Sequence, residues 1–365
     1  MTLASPSYRR VAGALRPWAT LALVCAIFSM HPAFRETFWQ RAYLPNILQQ
    51  SARNIVLAVG MSFVILSGGI DLSVGAVLAL AGAGLALGLN ASMPGWLCGV
   101  VVLPFAMVSA WYAARRGPAP AAVTFAVVEA IGTYGLAHGL AGGVRVEGAI
   151  ALALLIGVAC GMANGAVVSL GRVPSFVATL GMMSAARGLT LYATDSNSVP
   201  ARIPRFLALG QGAPLVIITL AVVAAAAVLL ARTRSGRYIL SIGGNEQAAR
   251  LSGVDVAAFK TLAYALSGLA AGIGAVLVTA KFGTANTGAG TGAELDAIAA
   301  VVIGGTSLSG GEGSIIGALV GALTITVIEA GLVLVGIQDT LQPVILGGVI
   351  VLTVFIDQFR KRTVR

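Results

Sequence analysis

Apolar stretches of membrane length succeed one another along almost the whole chain, and no other feature restricts its fold so tightly. A helix needs roughly 20 apolar residues to cross the hydrocarbon core. Candidate spans lie at 17–34, 51–69, 73–91, 95–113, 119–141, 148–170, 173–193, 213–231, 261–280, 294–309, 314–335 and 341–357. Charged residues make up only 10% of the 365 residues, against 58% hydrophobic ones; a soluble domain carries about a quarter charged. Too little polar surface remains to coat the molecule in water. The expectation is an all-α polytopic membrane protein, one transmembrane domain over residues 1–365, a helical bundle of about 10–12 crossings. Segment 294–309 is too short and glycine-rich for an ordinary crossing, so broken or half helices belong to this fold.

The net charge of +10 reads as orientation and not as nucleic-acid binding, because basic residues hold loops on the cytoplasmic side. With the first tail inside, alternate turns put Arg115, Arg116, Arg172 and the stretch 232–260 in the cytoplasm, along with the basic C-terminal tail. That stretch carries Arg232, Arg234, Arg237, Arg250 and Lys260. Arg35, Arg41, Arg53, Arg145, Arg202, Arg205 and Lys281 fall on the outer side. Arg9, Arg10 and Arg16 ahead of an apolar run imitate a secretory signal, yet no persuasive small-residue cleavage site follows, and the first helix is read as retained. Cys25, Cys98 and Cys160 sit in apolar runs without pairing or metal-ligand spacing, and His31 and His138 accompany no catalytic motif.

Within "ILSGGIDLSVG", residues 65–75, a single carboxylate, Asp71, interrupts an apolar run beside Gly68 and Gly69. A charge at mid-bilayer costs about 2.5–3.5 kcal/mol on insertion scales, so it faces a cavity, a partner or an interface. Two roles stand open. Asp71 caps the next helix at the N–H of Val74 with Ser73 beside it, or it serves the path of a solute directly. "IGGTSLSGGEG", residues 303–313, repeats the spacing Gly-Gly-x-x-Leu-Ser-x-Gly, and two broken segments in different halves of a chain point to a transport pathway built on a pseudo-repeat.

Glu294 and Asp296 stand at the mouth of the short segment, where they hydrogen-bond a polar solute or anchor an interfacial helix. Asn164, and Phe176 and Thr179 of "VPSFVATLGMMSAARG", complete the candidates for the path; Asn164 and Thr179 also suit helix–helix glue. Arg187 at the end of that stretch reaches an interface or pairs with an acid. Small residues four apart, Gly157, Gly161 and Gly165, Gly313, Gly317 and Gly321, and the pair Gly268 and Gly272, mark close helix packing.

"GGNEQAARLSGVDV", residues 243–256, is the one substantial soluble signature. Asn245 caps a short helix, Glu246 and Arg250 pair at i, i+4, and Gly253 closes it. Ala248, Ala249 and Leu251 offer a modest apolar face. Such a helix suits a plug for a groove on a cytosolic partner, and a plain surface helix has the same pattern. No lysine follows a glycine in a phosphate-cradling loop, so the chain carries no ATPase site of its own; zinc spacing, a nucleophile elbow and a dinucleotide fingerprint are also missing, and the chain is not read as an enzyme.

Four stretches together resemble the ribose-type permease family of ABC transporters: "AVGMSFVILSGGIDLSVGAVLALAG", "GRVPSFVATLGMMSAARGLTLY", "GRYILSIGGNEQAARLSGV" and "AELDAIAAVVIGGTSLSGGEGSIIGALVGA". The resemblance runs from about residue 45 to the C-terminus apart from one gap. It implies a multi-pass subunit of the bacterial inner membrane that passes a monosaccharide or related polyol delivered by a periplasmic solute-binding protein. It further implies a second permease subunit, identical or different, surrounding lipid, and cytosolic ATPase subunits that hydrolyse the ATP, with no cofactor bound by this chain. The loop 232–260 then becomes the coupling element through Gly243, Gly244, Asn245, Glu246, Ala249, Arg250, Leu251 and Gly253. The departure is 95–143, an apparent inserted hairpin with Glu129 and His138, to which no role is assigned. The competing reading is an ion-coupled secondary transporter or channel using Asp71, Glu294 and Asp296; the cytoplasmic helix and the missing phosphate cradle speak for the ATP-driven one.

Overall fold

The computed structural model describes residues 6–41, 43–90, 92, 94–116, 146–338, 340–349, 351 and 355. Most of the expected hairpin, with Glu129 and His138, lies outside these residues, as does the basic tail. Helices dominate the described residues, as expected. In chain order they are α1 (Pro6–Ser29), α2 (Pro32–Phe38), α3 (Leu44–Leu66), α4 (Val74–Leu89), α5 (Trp96–Arg116), α6 (Val146–Ser169), α7 (Ser175–Ala193), α8 (Pro204–Leu207), α9 (Gly212–Arg232), α10 (Arg234–Gly244), α11 (Glu246–Leu251), α12 (Val256–Phe282), α13 (Ala293–Ile303) and α14 (Ile315–Leu334).

Among the described residues, uninterrupted crossings are fewer than the apolar windows that fall there. Among the described residues, α6, α9, α12 and α14 are each long and apolar enough to span, and α1 with α2 forms a pair bent by 120°. The reasons are local. The first half of α3 carries Gln49, Gln50, Arg53 and Asn54, while α4, of 16 residues, lies between Ser73 and Asn90, and α13, of 11, is capped by Gly292 and Gly304. Gly68 and Gly305 have φ of +82° and +86°, a region that costs an L side chain but not glycine.

The central post is α12, packed along α6, α3 and α4. Two of the expected small-residue stripes turn out to be halves of one seam: Gly157 of α6 lies against Gly268 of α12, Gly161 against Tyr264 and Ala265, and Gly165 against Thr261. A Cβ on Gly157 or Gly268 would strike the other's carbonyl oxygen. Lipid offers no hydrophobic drive between helices, so this backbone proximity supplies the packing that holds them together. Gly317 and Gly321 similarly admit Gly304 and Ala300 at the end of α13, whereas Gly313 precedes α14 and faces Thr306. At the other end of α12, Val199–Pro200 pairs antiparallel with Thr284–Ala285, tying the α7–α8 connection to the turn after α12.

Candidate functional site

The break between α3 and α4 turns the acid inward. Asp71 is 1% exposed. Its Oδ1 accepts the Ser73 N–H at 3.0 Å and the Ser73 hydroxyl at 2.7 Å, and its Oδ2 accepts the Ser267 hydroxyl at 2.8 Å. Asn164 of α6 donates through Nδ2 to the Ser73 Oγ at 2.9 Å. One carboxylate thus gathers the start of α4, the middle of α12 and, through Ser73, the C-terminal part of α6. The expected cap at Val74 does not form. Ser73 occupies the cap position without a side-chain cap bond, because Asp71 closes a tighter turn onto the N–H two residues ahead, a bond short acidic side chains make readily.

Beside the acid, the Ile70 carbonyl lies 3.4 Å from the hydroxyls of both Tyr264 and Thr179. Thr179 makes its shorter bond, 2.9 Å, to the Ser175 carbonyl. Phe176, by contrast, is 55% exposed on the open face of α7. Asp71, Ser73, Asn164 and Thr179 therefore converge, and Phe176 stands apart from them. Ser267 and Tyr264 escaped the sequence reading, although they share a face of α12 with Lys260 at helical spacing, a polar row within an otherwise small and apolar span.

The second glycine motif shares one turn with the first, although the left-handed glycine is Gly68 in one and Gly305, one place later in the motif, in the other. Ser307, at the position of Asp71, accepts the Ser309 N–H at 3.3 Å, the same two-residue turn. Gly311 N–H donates to the Leu66 carbonyl at 3.0 Å, so the two motifs touch. Between them sits the junction of α10 and α11: a Cβ on Gly243 would overlap the Leu66 carbonyl and the Gly311 nitrogen, and one on Gly311 would meet Gly244. Three backbone breaks meet at one point.

From that point α11 projects. Asn245 Oδ1 accepts the Ala248 N–H at 2.9 Å, Glu246 pairs with Arg250 at 2.9 Å, and Gly253 with φ +82° ends the helix, all as expected. A second ion pair, Glu246 to Lys260 of α12 at 2.6 Å, was not foreseen. The Lys260 ammonium, hydrogen-bonded to it, holds the Glu246 carboxyl below the usual carboxylate range, outweighing partial burial. The expected apolar face of α11 divides: Ala249 packs inward on Ile242 and Val256, while Leu251 is 83% exposed. Positions two apart on a helix differ by about 200°, so these residues cannot share a face.

Glu294 and Asp296 lie elsewhere, in the first turn of α13. Asp296 stands 3.8 Å from Arg53 of α3. Asn54 donates to Thr326 at 3.2 Å and to Glu329 of α14 at 3.3 Å. Arg187 donates to the carbonyls of Thr287 and Ala289 at 2.6 and 3.1 Å, fastening the turn before α13. Among the described residues, no three His, Cys, Asp or Glu side chains gather as a metal site.

Comparison with known proteins agrees with this architecture. Residues 43–354 match the family described as branched-chain amino acid transport system / permease component. The chain is 37% identical over 348 residues to the ribose import permease of Escherichia coli strain K12, covering 93% of this chain and 91% of that protein. It is 34% identical over 344 residues to the D-allose transport system permease of the same strain, covering 93% and 89%. It is 32% identical over 361 residues to the xylose transport system permease of Haemophilus influenzae, covering 94% and 95%. No solved structure gives a significant match. Similarity that runs through nearly the full length of both partners, over a bundle with two broken glycine turns, places this chain in the ribose-type permease family of ABC importers.

Proposed function

We propose that this chain is the membrane permease of an ATP-driven importer for a monosaccharide or related polyol. A periplasmic binding protein delivers the solute, and cytosolic ATPase subunits dock on the loop around α11. A second permease subunit completes the path, and both termini face the cytoplasm. The observation that carries this reading is the seating of α11. Its root at Gly243 lies on both glycine turns, and its Glu246 is fastened to α12, so a push on this helix reaches the interrupted segments directly. The relatives support the solute class, since the named ones handle ribose, xylose and allose.

Reconstitution tests it. The chain, with its ATPase and binding protein in proteoliposomes, is expected to accumulate labelled ribose, xylose or allose only when ATP is present. Accumulation driven by an ion gradient without nucleotide would replace this reading with ion-coupled transport through the acidic residues.

A further inference from the structure

The loop helix and the buried acid lie on one line. Lys260, Tyr264 and Ser267 occupy positions i, i+4 and i+7 of α12 and so share one face. Along that face, Lys260 holds Glu246 of α11 at 2.6 Å, the Tyr264 hydroxyl lies 3.4 Å from the Ile70 carbonyl, and Ser267 donates to Asp71 at 2.8 Å. The first contact belongs to the loop; the other two grip the residues that follow the Gly68–Gly69 break. A cavity of about 770 Å³ opens beside this row, with Gly68, Gly69, Ser175, Glu246, Lys260 and Tyr264 in its lining. Close packing resists displacement, and an open space beside a break removes that resistance.

We propose that Tyr264 and Ser267 are positioning residues that carry the ATPase stroke from α11 to the α3–α4 break. Glu246 and Lys260 pass the displacement of α11 to the second turn of α12. The Tyr264–Ile70 and Ser267–Asp71 contacts then draw the break toward the cavity, and the path opens or closes with it. This assignment rests on the reading of the loop as the docking site for the ATPase.

The test uses the complete reconstituted transporter and measures sugar moved per ATP hydrolysed. Ser267→Ala is expected to lower that ratio about tenfold, the consequence of losing one hydrogen bond to a charged group. Tyr264→Phe, which keeps the buried ring, is expected to lower it several-fold. A purely structural role would reduce the amount of assembled complex but leave the ratio at the parent value, and an unchanged ratio in assembled Tyr264→Phe overturns the proposal even where Ser267→Ala does not assemble. Thiol cross-linking from Ser252→Cys to the ATPase separates the two readings. A cross-link with unchanged ratios removes only the transmission role, and failure to cross-link removes the docking site and this proposal together.

Discussion

Ser267 of α12 donates a 2.8 Å hydrogen bond to Asp71 across 196 residues of sequence, and both side chains are buried. The bond closes a circuit. Asp71 defines the turn into α4 through Ser73, Asn164 joins from α6, and Ser267 fixes α12 against both. A buried acceptor with three donors aimed at it has a definite cost of removal, because each donor would be left without a partner.

Asp71→Ala is therefore expected to destabilise the protein by about 1–3 kcal/mol for each donor it strands, and to cut the yield of folded protein in detergent. Asp71→Asn keeps the shape and one carbonyl acceptor, and its loss should be a fraction of that. Thermal unfolding of the two variants in detergent, followed by tryptophan fluorescence, checks the order. Equal melting points for Asp71→Ala and the parent would strip the acid of its structural role.

The α6–α12 seam gives a sharper contrast. A Cβ at Gly161 would enter the Tyr264 backbone, and one at Gly268 the Gly157 carbonyl. Gly161→Ala and Gly268→Ala should each cost about 1–3 kcal/mol by overpacking. On α7, Gly181 and Gly188 have open space where a Cβ would stand. Alanine at either should be neutral or stabilising by up to about 1 kcal/mol through helix propensity. Melting temperatures in one detergent decide the matter.

How much of this was written in the sequence depends on the kind of signal. Asp71 declared itself because a carboxylate in an apolar run is expensive, and the glycines four apart declared close contact. The partner of each stripe was not legible, since spacing gives a face but not what covers it. Ser267 was hidden because a lone serine is unexceptional in a helix; only its alignment with Lys260 and Tyr264 sets it apart. Arginine counting put Arg53 on the outer side but gave no hint that it would stand near Asp296 of α13. The repeat of Gly-Gly-x-x-Leu-Ser-x-Gly foretold one shared turn, at Asp71 and Ser307, but not that Gly243 would lie between the two motifs.

Acid should loosen the loop. The Lys260 hydrogen bond sets the Glu246 carboxyl below its ordinary value in the folded state. A group lowered on folding contributes its full stabilisation above the unfolded value of about 4.3, and loses it as pH falls through the lower folded value. Hydrogen-exchange protection at 245–252, after correction for the intrinsic rate, is thus expected to stay constant from neutral pH down to about pH 5 and to fall below about pH 4. Glu246→Gln should exchange faster at neutral pH and show no such acid step. An acid step surviving in Glu246→Gln would assign the transition to another carboxylate.

The loop around α11 allows the sharpest discrimination, because three of its glycines, two before the helix and one after it, meet different surroundings. A Cβ at Gly243 would fall on the Leu66 carbonyl and the Gly311 nitrogen, both backbone atoms that no rotamer change can move aside. Gly244 and Gly253 have nothing within 4 Å of that position, though Gly253 has φ +82°. Gly243→Ala must then pry the loop from both glycine turns, with an overpacking cost of about 1–3 kcal/mol. Gly253→Ala carries only the left-handed backbone cost, about 1 kcal/mol, and Gly244→Ala close to none. Melting temperatures should fall in the order Gly244→Ala, Gly253→Ala, Gly243→Ala, the last being lowest. If Gly243→Ala melts with the parent, the three breaks do not meet at this residue, and force applied to α11 has no direct route to the two interrupted segments.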